Sequence, residues 1–389
     1  MTELIDNTGL AAGQPPRIFI SAAEPSGDRH AAELIGVIRQ ARPDAQIFGV
    51  AGPLMQAAGC HAIDDLTKRS AMLLGALRLA GHAWRLVRRV YRELREKPAD
   101  LAILVDSPAL HLPMARKIKA AGCPVLYYIA PQLWAWAPWR IGRVRRRVDR
   151  LAVILPFEEE YFRQRGVEAR FVGHPLISQL SNCRPAAERV EELKSTARPL
   201  IACLPGSRHH VIAEVLPGQI EVCRTIAREY EQAGFLFAAA DDSAERMIRQ
   251  ALVMETFHWR VERQSNSEIL SAATLALVAS GTATLETAWY GVPMVVMYNG
   301  SKWGYRLIGR WLVRTPHLSL VNILAGRRIV PEFMPYYTST EPIAAEALDL
   351  LANDQRRRTM QADLASVIAS LGTSGAAGHT AQIAMNMIG

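Results

Sequence analysis

At 389 residues, half of them hydrophobic and 21% charged, the chain has material for two domains and too much apolar content for general disorder. Five scattered cysteines with no C-x-x-C spacing exclude a disulfide framework or a zinc knuckle and fit a reducing compartment. The formal charge of +8 calls for an anionic partner, whether nucleic acid, a membrane surface or a phosphorylated substrate.

Residues 1–16 carry acids where a signal peptide would carry Lys or Arg, and they lack an apolar stretch, so a flexible tail is expected. Nowhere do 18 apolar residues run together, so no bilayer-spanning helix is expected. From residue 17 onward, short apolar runs alternate with helix-length periodic segments, as in parallel sheets covered by helices. The first series predicts buried strands at 17–21, 46–50, 100–105, 125–130 and 151–155. A second series follows at 199–204, 234–239, 275–279 and 293–297. Between them, residues 173–196 pass from GHPLI into a polar stretch, the best domain boundary. The fold class expected is α/β, with two Rossmann-like domains facing a cleft and ligands gathered at the carboxyl ends of the strands.

Four junctions can carry chemistry. In AEPSGD, Gly27 permits a tight turn after the first strand, and Asp28 or Ser26 can cap the next helix. That arrangement fits an anion-binding turn or a plain connecting loop. Asp106 follows the apolar run LAILV, where burial would raise its pKa toward that of a general base. On the residues alone an Asx cap ahead of Pro108 is the plainer reading. In LPGSR, Ser207 can cap a helix while Arg208 offers a planar fork to an oxyanion such as a diphosphate. In ASGTATLE, Gly281 and the hydroxyls of Thr282 and Thr284 suit phosphate. Glu286, in the first helical turn, has the reach to accept ribose hydroxyls or merely steadies the helix start.

Two basic stretches account for the net charge. Over 78–95, Arg85, Arg88, Arg89, Arg92 and Arg95 follow helical spacing, with Leu79, Leu86, Val87, Val90 and Leu94 opposite and an apolar approach over 71–84. The second stretch, WRIGRVRRRVDR at 139–150, holds six arginines. A cationic face beside apolar residues predicts contact with an anionic membrane surface. No nucleic-acid reading motif accompanies it, so nucleic acid is not expected as a partner. No metal is expected either: the histidines are scattered, and no Asp-x-Asp pair exists to hold an ion on a diphosphate. Charge neutralisation then falls to Arg, Lys and helix N-termini.

Taken in order, AEPSGD, VDSPAL, the block from YIAPQLWAW to ILPFE, VGHPL, LPGSR, ASGTATLE, PMVVMY and SLVNILAGRRIVPEF resemble the lipid-A-disaccharide synthase family. The two long blocks are the decisive ones. The resemblance implies a GT-B fold and an inverting glycosyltransferase that needs no cofactor and no metal. It implies condensation of UDP-2,3-diacylglucosamine with 2,3-diacylglucosamine 1-phosphate (lipid X), giving a β-1,6-linked disaccharide and UDP in lipid A biosynthesis. By the same resemblance Arg208, Ser207, Gly281, Thr282, Glu286 and Asn322 line the UDP-sugar donor site. Asp106 is the base for the acceptor's 6-hydroxyl, and Gly27 and Asp28 lie in the cleft loop of the acceptor half. The domains implied are 17–175 on the acceptor side, 176–370 on the donor side, and a C-terminal segment, 371–389, crossing to the other domain or to a partner chain of a homodimer. A cytoplasmic protein held peripherally at the inner membrane face is also implied.

The chain departs from the family pattern in places. Val211 stands where members carry Glu three residues after the LPGSR arginine, with Glu214 the next acid. Ala137 replaces an Arg after WAW, SAMLLGALRL lacks the usual acid, and Pro25 sits at a position commonly small. Two other functions remain open on this basis: a UDP-sugar 2-epimerase of the same architecture, and a weakened paralogue that binds nucleotide-sugar or lipid.

Overall fold

The computed structural model describes residues 14–65, 76–300 and 315–389, so most of the expected tail and the 71–75 part of the apolar approach lie outside the described residues. The chain divides at Pro175, with residues from Thr373 onward returning to the first of two units.

The first unit is built on seven parallel strands: β1 (Arg17–Ala22), β2 (Gln46–Val50), β3 (His61–Asp64), β4 (Leu101–Val105), β5 (Val125–Tyr128), β6 (Arg150–Val153) and β7 (Ala169–Phe171). They lie in the order β3-β2-β1-β4-β5-β6-β7. The central strands are apolar throughout because helices cover both faces. Side chains alternate between the two cores. Ile18 and Ile20 join Leu34, Ile35 and Ile38 of the Pro25–Ala41 helix and Ala381 and Ala384 of the C-terminal helix, Ala376–Ile388. Phe19, Ala102 and Leu104 face the opposite way, toward Leu86, Val90 and Ile118. His379 fastens the C-terminal helix through Nδ1 to the carbonyl of Val172 at 2.9 Å.

The second unit has six parallel strands: β8 (Leu200–Leu204), β9 (Gly234–Ala239), β10 (His258–Arg263), β11 (Leu275–Ala279), β12 (Met294–Met297) and β13 (Glu332–Phe333). Their order is β10-β9-β8-β11-β12-β13. In both sheets the first strand in sequence is flanked by strands running to opposite sides, which creates a switch point beside β1 and another beside β8. In open parallel sheets ligands bind at the carboxyl ends of such neighbours.

Strands β3, β7, β10 and β13 were not expected from the sequence. All four lie toward or at the sheet edges. Edge strands bury less, as the His-Trp-Arg-Val-Glu-Arg run of β10 shows, and their apolar signal is correspondingly thin.

The basic helix, Ala76–Glu96, corrects one expectation. Leu86, Val87, Val90 and Leu94 are buried in the first unit's core, so this face is not available to lipid. Arg85, Arg88, Arg89, Arg92 and Arg95 are all exposed, and Arg88 stacks on the exposed Trp84 ring at 3.6 Å. The helix is amphipathic because the protein's own interior takes its apolar side. Among the described residues no helix is long and apolar enough to cross a membrane.

Candidate functional site

The LPGSR and ASGTATLE segments meet at the switch point of the second sheet. A cavity of about 400 Å³ opens there, lined by Gly206, Ser207, Arg208, Gly281, Thr282 and Glu286, with Asn266, Val211 and Ala240 completing the wall. Gly206 and Gly281 hold φ of 109° and 131°, a region that disfavours any side chain, so each strand can turn sharply at its end. Arg208 is exposed and stands at the N-cap of the His209–Glu229 helix, whose first N–H groups lack intrahelical acceptors. Ser207 does not cap that helix. The helix begins at His209, two residues beyond it, and neither Ser207 nor Arg208 supplies a side-chain cap bond.

Glu286 is partly buried beside the cavity. Desolvation pushes its carboxyl up from the ordinary value, and the Asn266 amide, donating at 3.2 Å, offsets part of that. Asn266 was not singled out in the sequence; an Asn opening a short helix carries no distinguishing pattern. Thr284 does not face the cavity as expected. It is fully buried, and its hydroxyl donates to the carbonyl of Gly281 at 2.8 Å, bracing the turn from behind. Among the described residues no ion pair joins Arg208 to Glu214. Glu214 instead has the Tyr298 phenol beside it, with burial raising that phenol's pKa to about 12.

Asn322 lies elsewhere. It is 0% exposed, its Nδ2 donates to the Val330 carbonyl and to Glu332, and its Oδ1 accepts from the N–H groups of Ile329 and Val330. Two donors and two acceptor positions exhaust an amide side chain. The structure therefore makes Asn322 a knot in the SLVNILAG–VPEF segment and does not place it on the cavity wall. Glu332, at the centre of this knot, also accepts from Leu318, Ser319 N–H and the Ser319 hydroxyl, and these donors hold its carboxyl below the ordinary range against the pull of burial.

In the first unit, Asp106 sits at the carboxyl end of β4, next to β1 at that sheet's switch point. Asp106 and Ser107 both adopt positive φ, 55° and 47°, a left-handed pair of non-glycine residues. Such backbone is costly and persists where its surroundings impose it. Ser107 occupies the N-cap of the Pro108–Ala120 helix without making a cap bond. The Asp106 carbonyl accepts from the His111 ring and the Tyr127 hydroxyl, neither of which the sequence marked out.

Gly27 and Asp28 do not form a loop. Pro25 opens the helix before them, so both are helical and buried. The Asp28 carboxylate reaches sideways to accept the N–H groups of Leu54 and Met55 at 3.0 and 3.1 Å, capping the short Pro53–Ala57 helix and not its own. Gly52 is required there, since a Cβ would lie 2.5 Å from the Asp28 carboxyl.

Two parallel α/β units, each with polar residues gathered at its switch point, define a double Rossmann-like protein. Solved structures share this plan: UDP-GlcNAc 2-epimerase from Neisseria meningitidis bound to UDP-GlcNAc (TM-score 0.59, 12% identity, 95% of this chain and 99% of that one) and MurG of Acinetobacter baumannii (0.56, 13%, 96% and 100%). At those identities the likeness shows the fold alone, and the fold is GT-B.

Sequence carries the assignment further. The lipid-A-disaccharide synthetase family model matches residues 18–387. The lipid-A-disaccharide synthase of Solibacter usitatus (strain Ellin6076) is 39% identical over 381 residues, spanning 94% of this chain and 96% of that protein. The chain belongs to the lipid-A-disaccharide synthase family and is a glycosyltransferase.

Proposed function

We propose that this glycosyltransferase transfers 2,3-diacylglucosamine from its UDP derivative to the 6-hydroxyl of 2,3-diacylglucosamine 1-phosphate. The observation that carries the proposal is the cavity beside β8, where a guanidinium, open helix N–H groups and a partly buried carboxylate converge from segments about 75 residues apart in the chain. Arg208 and the N–H groups suit a diphosphate, and Glu286 suits ribose hydroxyls.

In the reaction, the Asp106 carboxylate takes the proton of the acceptor hydroxyl as its oxygen attacks C1 of the donor sugar. The C1–O bond to the diphosphate breaks, its electron pair leaves with UDP, and the anomeric centre inverts. Arg208 and the helix N-terminus are worth most as negative charge grows on the departing diphosphate. A UDP-sugar 2-epimerase is supported only by shared fold, and 39% identity over nearly the whole chain favours the transferase.

The acceptor and donor carry acyl chains, so contact with a membrane surface belongs to the same proposal. It is supported by the exposed arginine face of the Ala76–Glu96 helix and by two exposed indoles, Trp84 and Trp139, each 56% accessible. Incubating the purified protein with UDP-2,3-diacylglucosamine and lipid X should yield disaccharide phosphate and UDP in equal amounts by mass spectrometry. UDP-binding without disaccharide would leave the weakened paralogue in its place.

A further inference from the structure

The backbone of Asp106 is pinned on both sides of its Cα. Its N–H donates to the carbonyl of Tyr128 at 3.0 Å, and its own carbonyl accepts twice, from the Tyr127 hydroxyl at 2.5 Å and His111 Nδ1 at 2.6 Å. A carbonyl oxygen has two lone pairs, so it is saturated.

The protonation pattern follows from these partners. A carbonyl can only accept, so His111 Nδ1 carries the hydrogen. The ring is fully buried, which pushes its pKa down to about 4 and keeps it neutral, so Nε2 is a bare acceptor. Ser21 Oγ, 2.9 Å away and also fully buried, therefore donates to Nε2. Burial likewise raises the Tyr127 phenol well above its ordinary range, so it remains a donor.

These groups come from β1 (Ser21), β5 (Tyr127) and the helix after β4 (His111); Tyr127 and His111 converge on one peptide, and Ser21 stands behind His111. Each is a polar group in an otherwise apolar core, where Leu or Phe would pack without needing a partner. What they hold is a left-handed, non-glycine conformation that Asp106 would not otherwise keep. A fold needing only a strand end could place Gly or Asn at this position at lower cost.

We propose that Ser21, His111 and Tyr127 are positioning residues of the transfer reaction, a buried relay that fixes the Asp106 backbone so that its carboxylate meets the acceptor hydroxyl in a single orientation. The inference rests on Asp106 being the base. General-base transfer is sensitive to small displacements of the accepting oxygen, whereas binding of either substrate does not require the relay.

Steady-state kinetics on full-length variants, with UDP-2,3-diacylglucosamine and lipid X, test this. Tyr127→Phe keeps the ring and removes one donor, so kcat should fall about tenfold, the equivalent of one buried hydrogen bond, with both KM values within about twofold of the parent. His111→Leu should do the same or more. His111→Asn, whose amide N–H can stand in for Nδ1–H, should recover most of the loss. Placed on Asp106→Asn, already slowed about 10²–10⁴-fold, Tyr127→Phe should add nothing. Should His111→Leu fail to fold, Tyr127→Phe carries the test alone.

A slow Asp106→Asn beside a Tyr127→Phe variant with normal kcat overturns the relay and leaves the base intact. A further tenfold loss from Tyr127→Phe on the Asp106→Asn background also overturns it, since the phenol would then act without the carboxylate. Normal turnover in Asp106→Asn overturns the base and the relay together.

Discussion

The indole Nε1 of Trp134 donates to the carboxylate of Glu158 at 2.9 Å, tying the APQLWAW turn after β5 to the helix Pro156–Arg163 after β6. Glu158 is buried to 1% exposure and accepts the Leu155 N–H as well, yet desolvation outweighs these bonds and lifts its carboxyl to about 7. The acid and the tryptophan are two ends of one connection between the segments after β5 and β6.

The raised value has a consequence for stability against pH. Between 4.5 and about 7 the folded chain keeps a proton on Glu158 that the unfolded chain releases, so the native state loses stability as pH rises through that window. The loss is roughly 3 kcal/mol at ~1.4 kcal/mol per unit. His30, His111 and His174, each held near 4 by burial, act in the opposite sense, with stability lost as pH falls below about 6.5. They are common to parent and variant and cancel in a difference. Denaturant melts of Glu158→Gln and parent should therefore diverge in the variant's favour from pH 5 to pH 8. A constant difference across that range would show that Glu158 is ionised throughout.

Arg208 should hold the donor's diphosphate. Losing charge-assisted hydrogen bonds typically costs ~1.5–3 kcal/mol, or roughly 10- to 150-fold in affinity. Calorimetry with UDP should show Arg208→Ala weakened by such a factor, and Arg246→Ala, exposed on another helix, unchanged. Normal UDP affinity in Arg208→Ala would remove the donor from the cavity beside β8. Restoring the family's acid by Val211→Glu is a less neutral change than the motif implies. The Val211 side chain packs against Gly206, with its Cγ1 only 2.7 Å from where a Gly206 Cβ would stand, so a modest loss of stability should accompany any gain in binding.

Asn322 separates a structural knot from a ligand contact. Replacing it by Ala strands the Ile329 and Val330 N–H groups and takes the donor from the Val330 carbonyl, at about 1–3 kcal/mol for each unsatisfied group. The melting temperature of Asn322→Ala should drop by several degrees, roughly 2–4 °C per kcal/mol for a domain of this size. UDP affinity measured at low temperature, on folded protein, should stay within about threefold. A large affinity loss without a change in melting would put Asn322 at the donor.

The exposed arginines of the Ala76–Glu96 helix should give salt-sensitive adhesion to anionic vesicles, because exposed charges are screened. Co-sedimentation should rise with anionic lipid content, weaken in high salt and fall for the quadruple Arg85, Arg88, Arg89 and Arg92→Gln variant. Equal binding to neutral vesicles would assign adhesion to Trp84 and Trp139 in place of the arginines.

The central strands were legible in the residues alone, because β1, β4, β8 and β11 are buried on both faces and must read as apolar runs. The sequence also marked Arg208, Gly281, Thr282 and Glu286, since strand-end chemistry at the start of a helix is local and follows residue order. The family was legible for the same reason, in contiguous blocks. Where the remaining polar groups act depends on how the chain packs. Asp28 caps a helix 26 residues away, Asn322 closes on Glu332, and the apolar side of the arginine helix turns into the core. His111 and Tyr127 meet at the Asp106 carbonyl, with Ser21 bonded behind His111, from three elements separated by up to 106 positions in the chain. A hydrogen bond needs heavy atoms within about 3 Å, and the parallel order β1-β4-β5 brings those distances about through crossover helices that leave no spacing in the sequence to read.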